Sequence, residues 1–221
     1  MKVDKIAEGL WRWTCPHPAW TPEADRPDGW PRDVGSVYYE SRGGIVLIDP
    51  LVPSDATNAE RFWGALDRDV ARIGGGITVL VGCVDHGRGA DAVRERYGAT
   101  GTRVDVVGAA AIERGVSCRL TAVLESFRLP TDVEAHPIPG LSPGETAYFL
   151  AGPRALVFAD AMIGTRDGGI MPAPARWAPQ TPEGQATYAR EFKPALDRLL
   201  SLTPAYVLPS HSWGQSAFSR V

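Results

Sequence analysis

The chain has 221 residues, 44% hydrophobic and 22% charged, with a formal net charge of −3. The apolar share and the seven tryptophans exclude a disordered chain, and the length fits one large domain or two small ones. Twenty-three Lys and Arg residues scattered among twenty-six acids argue against a nucleic-acid binder working through bulk positive charge. Met1 to Trp13 holds no apolar run of signal-peptide length and no later stretch could span a bilayer, so the expectation is a cytoplasmic protein without a membrane partner. Cys15, Cys83 and Cys118, an odd number at irregular spacing, do not read as a disulfide framework. Neither a repeat nor a dividing linker interrupts the chain, and 1–221 reads as a single domain.

Ile6 to Trp13 is rich in β-forming residues and predicts a strand. Cys15 to Asp33 follows, too proline-rich for helix or central strand. Gly35 to Glu40 and Gly44 to Asp49 read as two strands joined by the turn at Ser41-Arg42-Gly43. Thr57 and Glu60 have the spacing of a capping box, opening a helix with Phe62, Trp63, Leu66 and Val70 on one face. Ile77 to Gly82 suits a buried strand. Asp91 to Tyr97 reads as a helix closed by Gly98, Val104 to Val107 as a strand, and Ala109 to Arg114 as a short helix. Val133 to Ile138, Thr146 to Leu150 and Leu156 to Ala159 predict three antiparallel strands. A Gly/Pro-rich loop spans Ile163 to Pro182, and a last helix spans Gly184 to Leu200 with a kink at Pro194. Tyr206 to Leu208 then leads into Pro209-Ser210-His211.

Strands and helices interleave without regular βαβ alternation, as two series of a few strands followed by a helix. That order predicts an α/β chain in four αββα layers, two mixed sheets face to face with helices outside.

Several segments, in this order, resemble the metallo-β-lactamase superfamily. Val46-Leu47-Ile48-Asp49 is similar to the family's strand ending in aspartate. Cys83-Val84-Asp85-His86-Gly87-Arg88 occupies the place of its His-x-His-x-Asp-His loop. Pro139-Gly140-Leu141-Ser142-Pro143-Gly144 resembles its Pro-Gly-His-Ser-Pro-Gly segment. Val157-Phe158-Ala159-Asp160 looks like the strand carrying its metal-bridging aspartate, and Leu208-Pro209-Ser210-His211 its late Pro-x-His segment.

The resemblance implies a site in which five histidines and two aspartates hold two metal ions. Four histidines in the whole chain, His17, His86, His136 and His211, rule out that complete dinuclear set. An ungapped register puts Cys83 and Asp85 at the first two histidine positions, Gly87 at the aspartate and Arg88 at the last histidine. A register two residues shorter instead aligns Asp85-His86 with the family's Asp-His pair. Leu141 replaces the histidine of the Pro-Gly-His segment, while Asp160 and His211 match without substitution.

On these placements Asp85, Asp160 and His211, with Cys83 or His86, could hold one ion of zinc, iron or manganese. Cys83 also reads as a nucleophile beside His86, or as a small buried hydrophobe. Arg88, which has no lone pair to offer a metal, reads as a replacement for the second metal's charge, paired with Asp160. Asp49 reads as a brace for the loop. His17, Trp20 and Trp30 are candidate lid residues over a small-molecule cleft, with Leu141 as its apolar wall. Two functional readings stand. One is a divergent hydrolase-like enzyme acting on a small ester, thioester or lactone, with Asp85, His86 and Arg88 as catalytic candidates. The other is a non-catalytic binding or scaffold relative that has lost the chemistry. Oligomeric state is left open.

Overall fold

The computed structural model describes residues 1–26 and 29–213 and the backbone of the two-residue strand at 218–219. Its thirteen described strands are β1 (Lys2–Ala7), β2 (Leu10–Pro16), β3 (Asp33–Ser41), β4 (Gly44–Ile48), β5 (Gly76–Val81), β6 (Val104–Gly108), β7 (Ala122–Val123), β8 (Val133–Pro137), β9 (Thr146–Leu150), β10 (Ala155–Gly164), β11 (Ile170–Pro172), β12 (Tyr206–Ser212) and β13 (Phe218–Ser219). The helices are α1 (Ala56–Ile73), α2 (Ala90–Gly98), α3 (Pro182–Thr187) and α4 (Lys193–Leu200).

The N-terminal half runs β7-β6-β5-β4-β3, parallel from β4 to β7, with β2 and β1 added antiparallel on β3. The C-terminal half runs β12-β10-β9-β8. Strand alternation sorts the side chains into layers. From β4, Ile45 and Leu47 join the core under α1 and α2, while Val46 and Ile48 point the other way. From β10, Leu156 and Phe158 pack toward Phe192, Leu196 and Leu199, while Ala155 and Val157 point inward. Val46, Ile48 and Leu80 of one half therefore share a core with Tyr148, Leu150 and Val157 of the other. Helix, sheet, sheet and helix make the four expected layers. The two sheets are not separate, however. A single β3–β12 pairing, Val34 with His211, connects them.

Local differences from the sequence reading have local causes. Gly9, at φ +69°, turns β1 into β2, so a hairpin replaces the one expected strand. Asp55, whose side chain accepts from the Asn58 amide, caps α1 two residues before the expected Thr57. The last helix is broken by a π turn over Tyr188–Phe192 directly before α4, and Pro194 sits in the first turn of α4. In the expected loop, β10 continues to Gly164 and folds back as β11.

Candidate active site at the joined sheets

Three segments converge where β3 meets β12. The first is the loop after β5, where Cys83 leads into a tight turn over Val84–His86. The second is the middle of β10. Its parallel register with β12 breaks between Phe158 and Ile163, and the freed amides of Asp160 and Ala161 both donate to Glu145 Oε1 at 2.9 Å. A bulge of this kind re-aims a side chain, here Asp160. The third is β12, which carries Ser210 and His211.

Asp160 is the hub. Its Oδ1 accepts from His211 Nε2 at 3.0 Å and lies 3.2 Å from His86 Nε2, while the Cys83 thiol donates to Oδ2 at 3.4 Å. One ligand atom each from Cys83, His86 and Asp160 lies within 4.8 Å of the others. Behind them His86 Nδ1 donates to Asp49 Oδ2 at 2.6 Å, and Asp49 Oδ1 accepts from the Gly82 amide at 2.7 Å. The Ser142 hydroxyl donates to Glu145 Oε2 at 3.2 Å.

The electrostatics follow from crowding charge in a buried space. Burial and the Arg88 charge push His86 down, but Asp49 and Asp160 outweigh them and raise its pKa to about 9. Against the cost of burial, His86 and His211 hold Asp160 well below the usual carboxylate range. Burial, then Asp160, push Glu145 up to about 8. Burial first, then the acids Asp160, Glu145 and Asp49, push the Cys83 thiol well above its ordinary value.

Above this cluster lies a pocket of about 340 Å³. Its aromatic rim is His17, Trp30 and Trp177, and Leu141 and Ser142 form another wall. Trp30 and Trp177 both meet the His211 ring edge-on, at 5.6 and 5.9 Å between centroids. Burial, with the cationic groups Arg88, His211 and His86, depresses His17 to about 4.

The geometry corrects four sequence expectations. Asp85 is exposed on the pocket rim, outside the Cys83–His86–Asp160 group, because the tight turn directs His86 inward in its place. Arg88 does not pair with Asp160. Its Nη2 lies 2.9 Å from His86 Nε2 and donates to Ser210 Oγ at 3.1 Å, and its Nη1 donates to the Gly35 carbonyl at 3.2 Å. The positive charge facing Asp160 comes instead from His86, 3.2 Å away with its pKa raised. The loop thus delivers Cys83 and His86, a combination that neither register contained whole. Of the lid residues, His17 and Trp30 face the pocket. Trp20 donates to the Trp30 carbonyl and lines a separate surface cavity instead. Pro27 and Asp28 of the expected lid lie outside the described residues.

Glu145, Ser142, Trp177 and Ser210 were not anticipated from sequence. Trp177 carried the same signal as Trp30, an indole inside a Gly/Pro-rich loop.

A β-lactamase domain protein from Burkholderia ambifaria superposes with a TM-score of 0.66 at 14% identity, over 98% of this chain and 69% of that one. A metallo-β-lactamase from Pontibacter korlensis gives 0.59 at 13%, over 99% and 93%. The enzyme from Erythrobacter litoralis, with β-mercaptoethanol in its active site, gives 0.60 at 8%, over 98% and 90%. The chain has the metallo-β-lactamase fold. No family model and no curated protein matches the sequence. At such identities the likeness shows the fold alone.

The donor set fits a metal ion. Thiol, imidazole and carboxylate together suit zinc, and less closely iron or manganese. Asp49 on His86 Nδ1 is the carboxylate–histidine arrangement that turns the other ring nitrogen toward a metal. His211 Nδ1 is buried without a hydrogen-bond partner.

Proposed function

We propose that this protein is a divergent hydrolase of the metallo-β-lactamase fold, holding one metal ion on Cys83, His86, Asp160 and His211 and cleaving a small ester, thioester or lactone. Zinc suits this donor set first. A cytoplasmic location and a small-molecule partner belong to the same reading. The observation that carries it is the convergence of Cys83, His86 and Asp160 under an aromatic-rimmed pocket large enough for a small ligand.

Such an ion supplies Lewis-acid polarisation and lowers the pKa of a water. The chain's residues do the rest. Asp49 holds the His86 ring with Nε2 facing the pocket, and Glu145 fixes the backbone that carries Asp160. Trp30 and Trp177 shield His211 from bulk water. Leu141 gives the substrate an apolar wall, and Arg88 offers a guanidinium to negative charge developing on its carbonyl oxygen.

The close contact of Arg88 with His86 Nε2 favours a second reading, a metal-free binding protein that keeps the pocket without the chemistry. Metal analysis of protein purified without chelator decides between them, together with its melting temperature with and without added zinc. Stoichiometric metal, zinc-dependent stabilisation and turnover of an aryl ester, thioester or lactone support the hydrolase. Metal-free protein with an unchanged melting temperature supports the binding protein.

A further inference from the structure

A neutral imidazole ring nitrogen has one acceptor lobe, lying in the ring plane. A His86 that binds metal keeps its proton on Nδ1, donated to Asp49, and offers that lobe on Nε2. Arg88 Nη2 stands 2.9 Å from that nitrogen. A zinc–imidazole bond needs the same lobe at about 2.0–2.1 Å. A guanidinium nitrogen and a metal ion cannot both lie along it, and their like charges would repel at that separation.

Arg88 is also held imperfectly in this position. Its backbone takes φ +30°, a region that disfavours a residue with a side chain, and its Nε is buried without a partner. Nε2 also has Asp160 Oδ1 at 3.2 Å, so a guanidinium nitrogen and a carboxylate oxygen crowd the same ring atom. The pocket of about 340 Å³ beside it gives the guanidinium space to leave.

We infer that Arg88 is a built-in competitor for the metal-binding nitrogen of His86, so that metal binding and the 2.9 Å Arg88–His86 contact exclude each other. Arg88 then sets the metal affinity of the site. It acts as a positioning residue, through His86, and the inference rests on the proposed metal site. Once displaced, the guanidinium remains on the pocket wall, where it faces bound substrate.

The test is the zinc affinity of the full chain, measured by competition with a chromophoric chelator, for wild type, Arg88→Met and Arg88→Lys. Methionine keeps much of the stem and removes the charge and the donor. Arg88→Met is expected to bind zinc at least tenfold more tightly than wild type, and Arg88→Lys to fall between them. Equal or weaker binding by a folded Arg88→Met overturns the inference and leaves the metal site standing. No binding by folded wild type and Arg88→Met overturns the metal site itself and the inference with it. If Arg88→Met does not fold, a crystal structure of the wild-type protein with zinc serves instead. The guanidinium is expected off Nε2, and zinc on His86 with the 2.9 Å contact intact overturns the inference.

Discussion

His86 Nδ1 lies 2.6 Å from Asp49 Oδ2, and both side chains are only 3% exposed. Asp49 ends the short run after β4 at φ +50° and takes the Gly82 amide on its other oxygen, so one carboxylate ties β4 to the loop that carries Cys83 and His86. Removing one partner of a buried charged pair strands the other, at about 3–5 kcal/mol. Asp49→Ala is therefore expected to lower stability by about that amount, measured by urea unfolding. It should also weaken zinc binding by roughly 10–100-fold, since His86 loses the partner that orients it. A cost like that of an exposed aspartate would show that the pair does not organise the loop.

In chelator-treated protein, stability is expected to fall as pH rises from about 6.5 to 8. His86 has a folded pKa raised to about 9, so its contribution is complete below its unfolded value near 6.5 and is lost as pH rises through 9. Glu145, raised to about 8, likewise binds more proton in the folded state, and its contribution drains between 4.5 and 8. The depressed histidines, His17 and His211, act in the opposite sense but below 6.5. Urea midpoints at pH 6.5 and pH 8 check the sign. A higher midpoint at pH 8 would mean that His86 is neutral in the folded protein.

Gly35 is a contact point between the halves. A Cβ there would lie 2.3 Å from Arg12 Nη2 and 2.5 Å from its Cζ. Arg12 is buried, pushed down to about 10 chiefly by that burial, and donates to the Pro209 carbonyl at 2.9 Å, two residues before His211. Gly35→Ala forces this side chain aside and is expected to cost about 1–3 kcal/mol, as overpacking does. The cost should shrink in an Arg12→Ala background, where the clash is gone. Strict additivity in that double-mutant cycle would count against the contact.

The two tryptophans of the expected lid lie in different places. Trp30 faces His17 and His211 at 5.2 and 5.6 Å between ring centroids, whereas Trp20 supports it from outside through a hydrogen bond to its carbonyl. For an ester that the protein turns over, Trp30→Ala is expected to raise KM about tenfold, roughly 1.4 kcal/mol of lost binding. Trp20→Ala should mainly lower thermal stability. Equal KM effects from the two would remove the distinction.

The parts of the fold that could be read from sequence are those where residue pattern alone decides. Ile45 to Ile48 and Ile77 to Val81 are apolar on both faces because sheet covers one side and helix the other. The register of the Cys83–Arg88 loop could not be read that way. Which side chain enters the site depends on the turn at Val84–His86 and the positive φ of Arg88, and spacing does not encode either. Asp160 and His211 were recognisable because each closes a short motif led by apolar residues, although both lie inside strands, β10 and β12. Glu145 was not, since its partners are backbone amides freed by a bulge fifteen residues on.

That bulge gives the last expectation. Between Phe158 and Ile163 the ladder from β10 to β12 is interrupted, and the amides of Asp160 and Ala161 would be buried donors without partners if Glu145 Oε1 did not accept both. Glu145 is 1% exposed and follows Gly144, which at φ +70° turns the chain into β9. Each buried donor left unpaired costs about 1–3 kcal/mol, so Glu145→Ala is expected to lose about 2–6 kcal/mol and to release Asp160 from its aim. Glu145→Gln separates the role of shape from that of charge. Its amide oxygen can accept the same two hydrogen bonds, and Ser142, now a donor to Oε2, can turn to accept from the amide nitrogen. With a pKa raised to about 8, the native carboxyl is already mostly uncharged near neutrality in the metal-free protein. Glu145→Gln should therefore be at least as stable as wild type at pH 6.5, where the ionised unfolded carboxyl already favours unfolding of wild type. It should lose less than wild type on going to pH 8, because one of the two titrating groups is gone. Urea unfolding of both variants at the two pH values measures this. If Glu145→Gln is as destabilised as Glu145→Ala, the negative charge of Glu145, rather than its acceptor oxygen, holds Asp160 in place.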